Sequence, residues 1–152
     1  MQIVLLGIGL ARFAAGNRPI SHGTGPASFS GVNPKADALK QRTKRFALDV
    51  LAFSRTLPQR DDAATIARQL VRSATGTAGN YRAACRSRSR AEFVARVGVA
   101  LEEADESAFW LEVIVEDRMS ASPRASDLLD EANQLSAIFA SSSITASEPL
   151  KR

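Results

Sequence analysis

Residues 89–117 read SRAEFVARVGVALEEADESAFWLEVIVED, and this stretch decides the fold class. Ser89, followed three residues later by Glu92, forms a capping box in which the serine oxygen and the glutamate carboxylate satisfy free amide donors at a helix start. Phe93, Val97, Ala100, Ala104, Ala108, Leu111 and Val115 then recur at spacings of three and four, which is the core face of one long helix. At about 1.5 Å per residue such a helix is roughly 42 Å long.

The segments on either side have the same character. Upstream, Leu39, Thr43, Phe46, Val50, Phe53 and Leu57 alternate steps of four and three, a face that packs at a shallow angle on its neighbours. Pro58 ends that helix, because proline lacks an amide donor and disfavours helix in the residue before it. Asp61 or Asp62 offers a carboxylate to cap the next one. Residues 62–86 carry Gly76 and Gly79, each costing about 1 kcal/mol in a helix interior. Ile66, Leu70, Thr77, Tyr81 and Ala84 nevertheless stay in phase across them, so one unbroken helix is expected, with the glycines admitting a neighbouring backbone. Downstream, Ser122 and Pro123 suit the N-cap and first position of a fourth helix, with Leu128, Ala132, Leu135 and Phe139 facing inward. Short connections between long helices make neighbours antiparallel. The expected fold is all-α, an up-down-up-down antiparallel four-helix bundle over residues 37–143, followed by a disordered tail over 144–152.

Residues 1–36 read differently. Gly7, Gly9, Gly16, Gly23, Gly25, Gly31, Pro19, Pro26 and Pro34 recur too often for a long helix or strand. This stretch reads as a disordered, flexible extension, or as sequence upstream of the true start, with the codon of Val32 a candidate first codon. Its apolar opening, residues 3–10, is too short to span a bilayer and lacks the basic flank of a signal peptide. No membrane association is expected. The lone Cys85 permits no internal disulfide and suits a reducing, cytoplasmic setting.

Composition narrows the function. His22, the single histidine, lies among Gly, Ser and Pro near the start, so neither a Ser-His-Asp constellation nor a Glu-x-x-His metal pair assembles in the helical part. No catalytic residue, metal site or cofactor is expected. The net charge of +4 is modest, but its placement is not even: residues 68–96 hold seven arginines and one acid, and residues 102–117 hold seven acids and no base.

Projected at 100° per residue, Arg68, Arg72, Arg82 and Arg86 share the outward face of the second helix, and Arg88 and Arg90 extend the stripe into the turn. These six cations suit a phosphate backbone of RNA or DNA, although a run of charge is more often a solvated or salt-bridged helix face. On the third helix Val99, Phe109, Trp110 and Val113 project away from the core among acids, an apolar patch that favours a homo-oligomer. Glu102, Glu103, Asp105 and Glu106 lack a matching acidic motif on another helix, so pairing with arginines is favoured over metal binding.

Several blocks resemble a known family, the small bacterial four-helix proteins encoded in intervening sequences of 23S ribosomal RNA genes. They are Arg42-Thr43-Lys44-Arg45-Phe46-Ala47, Ile66-Ala67-Arg68-Gln69-Leu70 with Arg72-Ser73, Asn80-Tyr81-Arg82-Ala83-Ala84-Cys85-Arg86, and Leu101-Glu102-Glu103-Ala104-Asp105-Glu106 with Phe109-Trp110-Leu111-Glu112. They spread over residues 42–142 and leave the first 36 unmatched. The resemblance implies a four-helix bundle and ring-like homopentamers. It also implies kinship with accessory proteins of diversity-generating retroelements, basic bundles that bind nucleic acid and a reverse transcriptase. Two functional expectations follow: a non-enzymatic, oligomeric nucleic-acid-binding accessory protein, or a structural and protein-interaction module whose arginines serve subunit pairing.

Overall fold

The computed structural model describes residues 33–148. Four α-helices follow in chain order, α1 (Pro34–Ser54), α2 (Asp61–Ala84), α3 (Arg90–Glu116) and α4 (Arg124–Ser147), and each packs on the next in an up-down-up-down bundle. The closest seams are α2 against α3 and α3 against α4; α1 and α4 complete the ring less intimately. Ion pairs bridge that looser seam, Arg42 to Glu131 with Nε–Oε1 at 2.7 Å and Arg124 to Asp49 at 2.9 Å. Such partly exposed pairs are worth up to about 1 kcal/mol each, so they fix register more than they stabilise.

The core follows a seven-residue repeat. In α1 the buried positions include Leu39, Thr43, Phe46, Val50 and Phe53, the face expected from their spacing, and Leu57 joins them from just beyond the helix. In α2 the repeat is Ala63, Leu70, Thr77 and Ala84, running unbroken past both glycines. In α3 it is Val97, Ala104 and Leu111 interleaved with Ala100, Ser107 and Ile114, and in α4 Ala125, Ala132, Phe139 and Ala146 interleaved with Leu128, Leu135 and Ser142. Heptads of this kind keep a seam facing its partner along a shallow left-handed supercoil. They also correct the α3 face: Val115 is 36% exposed, while Ile114 is fully buried, because the step after Leu111 is three residues and not four.

Helix ends differ from expectation in small, explicable ways. α1 starts at Pro34, inside the stretch assigned to the extension, because Asn33 Oδ1 accepts the amides of Lys35 and Ala36 and proline suits a first helical position. The rest of the extension, residues 1–32, lies outside the described residues. Asp61 and Asp62 fall within the first turn of α2 and not at its cap, with Asp62 Oδ1 accepting the amide of Ala63 at 2.8 Å. α4 runs to Ser147, so residues 144–147 are helix and Ala146 is buried; residues 149–152 lie outside the described residues.

At the C-terminus of α3 the amide of Met119 bonds to the carbonyl of Ile114 and that of Arg118 to Val115, a Schellman motif whose left-handed position is held by Arg118 at φ 53°. A side chain there costs roughly 1–2 kcal/mol, partly offset by the extra freedom glycine would bring to the unfolded chain. Arg118→Gly is therefore expected to stabilise the protein by about 0.5–1 kcal/mol in urea unfolding; an unchanged or lower midpoint would refute this account of the turn.

Tyr81, 4% exposed and stacked on Phe139 at 5.4 Å, is a core residue whose burial pushes its phenol well above the usual range. The fold therefore holds the neutral form, whereas the unfolded chain ionises near pH 10, so stability falls as pH rises past about 10. Tyr81→Phe is expected to lose less melting temperature than the parent between about pH 9 and pH 11; equal losses would show that this hydroxyl is not responsible.

Candidate nucleic-acid interface

The α2–α3 hairpin is built on small residues. Ser73 and Ala74 of α2 and Ala100, Ala104, Ser107 and Ala108 of α3 are all buried, which lets the two helices approach closely. Ser73 Oγ and Ser107 Oγ lie 2.9 Å apart in this seam, and the Ser107 hydroxyl also reaches the carbonyl of Glu103. A β-carbon at Gly76 would come within 2.6 Å of Glu103, so what this glycine admits is a carboxylate and not a neighbouring backbone. Gly79 has nothing within 4 Å of that position.

These pairings fix the register. Ser73 faces Ser107, Arg72 reaches Glu106 and Gly76 meets Glu103, so each step up α2 is a step down α3. Extended toward the turn, the same register sets Arg82 and Arg86 level with the first two turns of α3, which carry Arg90 and Arg96. The two charge blocks therefore lie differently in space than along the chain. Near the turn both helices are basic. Toward the opposite end the arginines of α2 run beside the acids of α3.

The six arginines of the expected stripe consequently separate into groups. Arg72 is held by Glu106, with Nη2 3.3 Å from both carboxylate oxygens. Arg68 donates to Thr65 Oγ1 at 2.9 Å, at the end of α2 remote from the turn. Arg90 is withdrawn from the stripe: its guanidinium donates to the carbonyls of Thr145, Ala146 and Glu148, holding the last turn of α4. Arg82, Arg86 and Arg88 remain exposed. Arg96, not part of the expected site, is exposed at the same end; only the hairpin register reveals that it belongs with them. Among the described residues none of these four forms an ion pair. Glu92, the nearest acid in sequence, directs Oε2 to the backbone amide of Arg88 at 2.9 Å as part of the α3 cap.

The acids of α3 also divide. Glu103 turns inward over Gly76, where its Oε2 is buried without a hydrogen-bond donor, while Glu102 and Asp105 stay in solvent. Among the described residues no group of three or more His, Cys, Asp or Glu side chains is placed to hold a metal ion. Cys85 is half-buried beside Tyr81, and burial pushes its thiol upward, the reverse of what a nucleophile needs. His22 lies outside the described residues.

Of the expected apolar patch, Phe109 is 52% and Val99 39% exposed, and Val113 is half-buried. Trp110 is a correction: it packs on the margin of the core, and its Nε1 donates to Glu106 at 3.2 Å, the same carboxylate that holds Arg72. Its ring meets Phe109 edge-on at 4.8 Å. Leu48 and Ile144, on α1 and α4, are also exposed. No described helix is long and apolar enough to cross a membrane.

Comparison with known proteins agrees with this architecture. No curated protein matches the chain. A crystal structure of a protein of unknown function from the S23 ribosomal protein family of Bacteroides thetaiotaomicron VPI-5482 is similar to it with a TM-score of 0.66 and 23% identity, covering 72% of this chain and 98% of that one. At that identity the likeness speaks to the fold alone. The profile of the 23S rRNA-intervening sequence protein family matches residues 37–141, essentially the whole bundle, and the chain belongs to that family.

Proposed function

We propose that this chain is a non-enzymatic accessory protein that binds RNA or DNA through the turn end of the α2–α3 hairpin. The observation that carries this reading is the set of exposed arginines there, Arg82, Arg86, Arg88 and Arg96, which have no carboxylate partner within the described bundle. Uncompensated guanidinium groups at one end of a rigid body attract a polyanion and release its counterions on contact. Arg72 and Arg68 fall outside this surface, and Arg90 supports it from behind by anchoring α4. A cytoplasmic setting suits this reading, and so does a reverse transcriptase as protein partner, the latter by likeness to the accessory proteins of diversity-generating retroelements.

Reversal of Arg86 and Arg88 to glutamate together is expected to lower affinity for a 40-nucleotide RNA at least tenfold in filter binding at about 100 mM salt, where each lost phosphate contact counts. Arg68→Glu, about 24 Å along α2 from the end of that helix, is expected to leave affinity within about threefold. Equal losses in both variants, or no binding by the parent, would defeat the assignment.

Self-assembly forms the second element of the reading. Phe109 and Val99 leave apolar surface in water on a face ringed by Glu102, Asp105 and Glu116, and burying one phenylalanine contributes on the order of 2 kcal/mol. A ring, pentameric as the family resemblance implies, would gather several cationic ends. The alternative function, an interaction module without nucleic acid, uses this same face and differs only in what the arginines do. Phe109→Glu is expected to shift the sedimenting species of the full chain to monomer at micromolar concentration; a parent that is already monomeric there would rule out this assembly.

A further inference from the structure

We infer that the preferred ligand of the cationic end is a double-stranded nucleic acid, gripped by its backbone without regard to sequence. This rests on the nucleic-acid reading above and specifies its substrate class. Three observations carry it.

The first concerns aromatic rings. Single-strand binders add base stacking to phosphate contacts, and stacking is what offsets the lower charge density of a lone strand. Among the described residues near the arginine end the rings are committed to the fold: Tyr81 is 4% exposed and packed on Phe139, which is fully buried, and Phe93 is partly buried against the core. The exposed Phe109, with Trp110 against it, lies in the half of α3 level with Arg72, away from the turn. A base splayed from a strand at this end would meet guanidinium groups and solvent.

The second is shape. The arginines are carried on the ends of two helices packed side by side and on the turn between them. Helices about 10 Å across, packed 8–10 Å apart, present a blunt tip nearly 20 Å wide. The major groove of B-form DNA, about 12 Å wide, admits one helix and not two. The tip therefore lies across the sugar-phosphate ridge, where contacts fix position and carry no sequence information.

The third is counterion release. Arg82 lies in the last turn of α2, Arg86 and Arg88 in the connection that follows it, and Arg96 on α3 level with Arg82, so four cations are gathered at one end. With four phosphates neutralised, the salt slope is about −3.6 on a duplex and about −2.8 on a single strand. With other contributions equal, that difference amounts to roughly tenfold tighter duplex binding at 50 mM salt, and the duplex affinity falls on the order of 100-fold between 50 and 200 mM.

The test is a competition by the full chain between a 20-base-pair DNA duplex and each of its separated strands, repeated with RNA of the same sequence and with a shuffled duplex. The expected result is duplex preference of about tenfold at 50 mM salt, shrinking as salt rises, with a steeper duplex slope and equal binding of the shuffled duplex. Equal or tighter binding of the single strands would overturn this inference while leaving the nucleic-acid reading intact; binding of neither form would remove that reading itself. A duplex preference that depends on sequence would overturn the backbone-only contact. Arg82→Glu with Arg86→Glu is expected to abolish the preference. Should that variant fail to fold by circular dichroism, Arg96→Ala supplies the same test, lowering the duplex slope by about 0.9.

Discussion

The seven-residue repeat shared by all four helices is the constraint on which the rest of the molecule depends. It sets which residues are inside, and a seven-residue repeat keeps each seam facing its partner along the helices. Between α2 and α3 the repeat is filled by alanine, serine and threonine, so that seam is close and its register is tightly set. Register in turn decides electrostatics. The two charge blocks of the sequence meet antiparallel, pairing Arg72 with Glu106 at mid-height and leaving arginine beside arginine at the turn. A slip of one turn would move Arg72 away from Glu106 and Gly76 away from the carboxylate it accommodates.

This arrangement explains why a protein with a modest surplus of positive charge can still have a strongly cationic end. The surplus itself, Arg12, Arg18, Lys151 and Arg152, lies outside the described residues, and the bundle over 33–148 balances its acids and bases. The cationic end is a product of topology, because a hairpin places the end of one helix against the basic beginning of the next. Association with polyanions depends on such local fields more than on the net charge. The acidic remainder of α3 surrounds exposed apolar side chains, so the hairpin presents two surfaces of opposite sign, separated along its axis.

Much of the fold was legible in the sequence, and the exceptions are instructive. The α1 face is legible because Leu39, Thr43, Phe46, Val50 and Phe53 alternate steps of four and three, which is already a heptad, although the helix ends at Ser54, short of Pro58. Val115 was misread on α3 because isoleucine and valine are adjacent there and only the repeat distinguishes them. The last turn of α4 falls within the expected tail because its heptad position is Ala146, whose weak hydrophobicity gives little signal although it is buried. Of the candidate site, the exposure of Arg82 follows from helix phase, and that of Arg86 and Arg88 from their place in the connection beyond α2. The fates of Arg72, Arg90 and Glu103 do not, because each is decided by a group on another helix: Glu106, the carbonyls ending α4, and the bare backbone at Gly76. Long charged side chains can reach across a seam, and a single-helix projection has no view of what they find there.

Trp110 is the chain's single tryptophan. Its ring lies half in the core and half at the outer face of α3, against Phe109 and bonded to the carboxylate that Arg72 also holds. Indole emission depends on the polarity and charge around the ring, so this molecule has a built-in optical probe at the boundary between its packed interior and the exposed apolar face of α3. Any event that dries that face, or draws Glu106 away from Arg72, will register in its spectrum without a label.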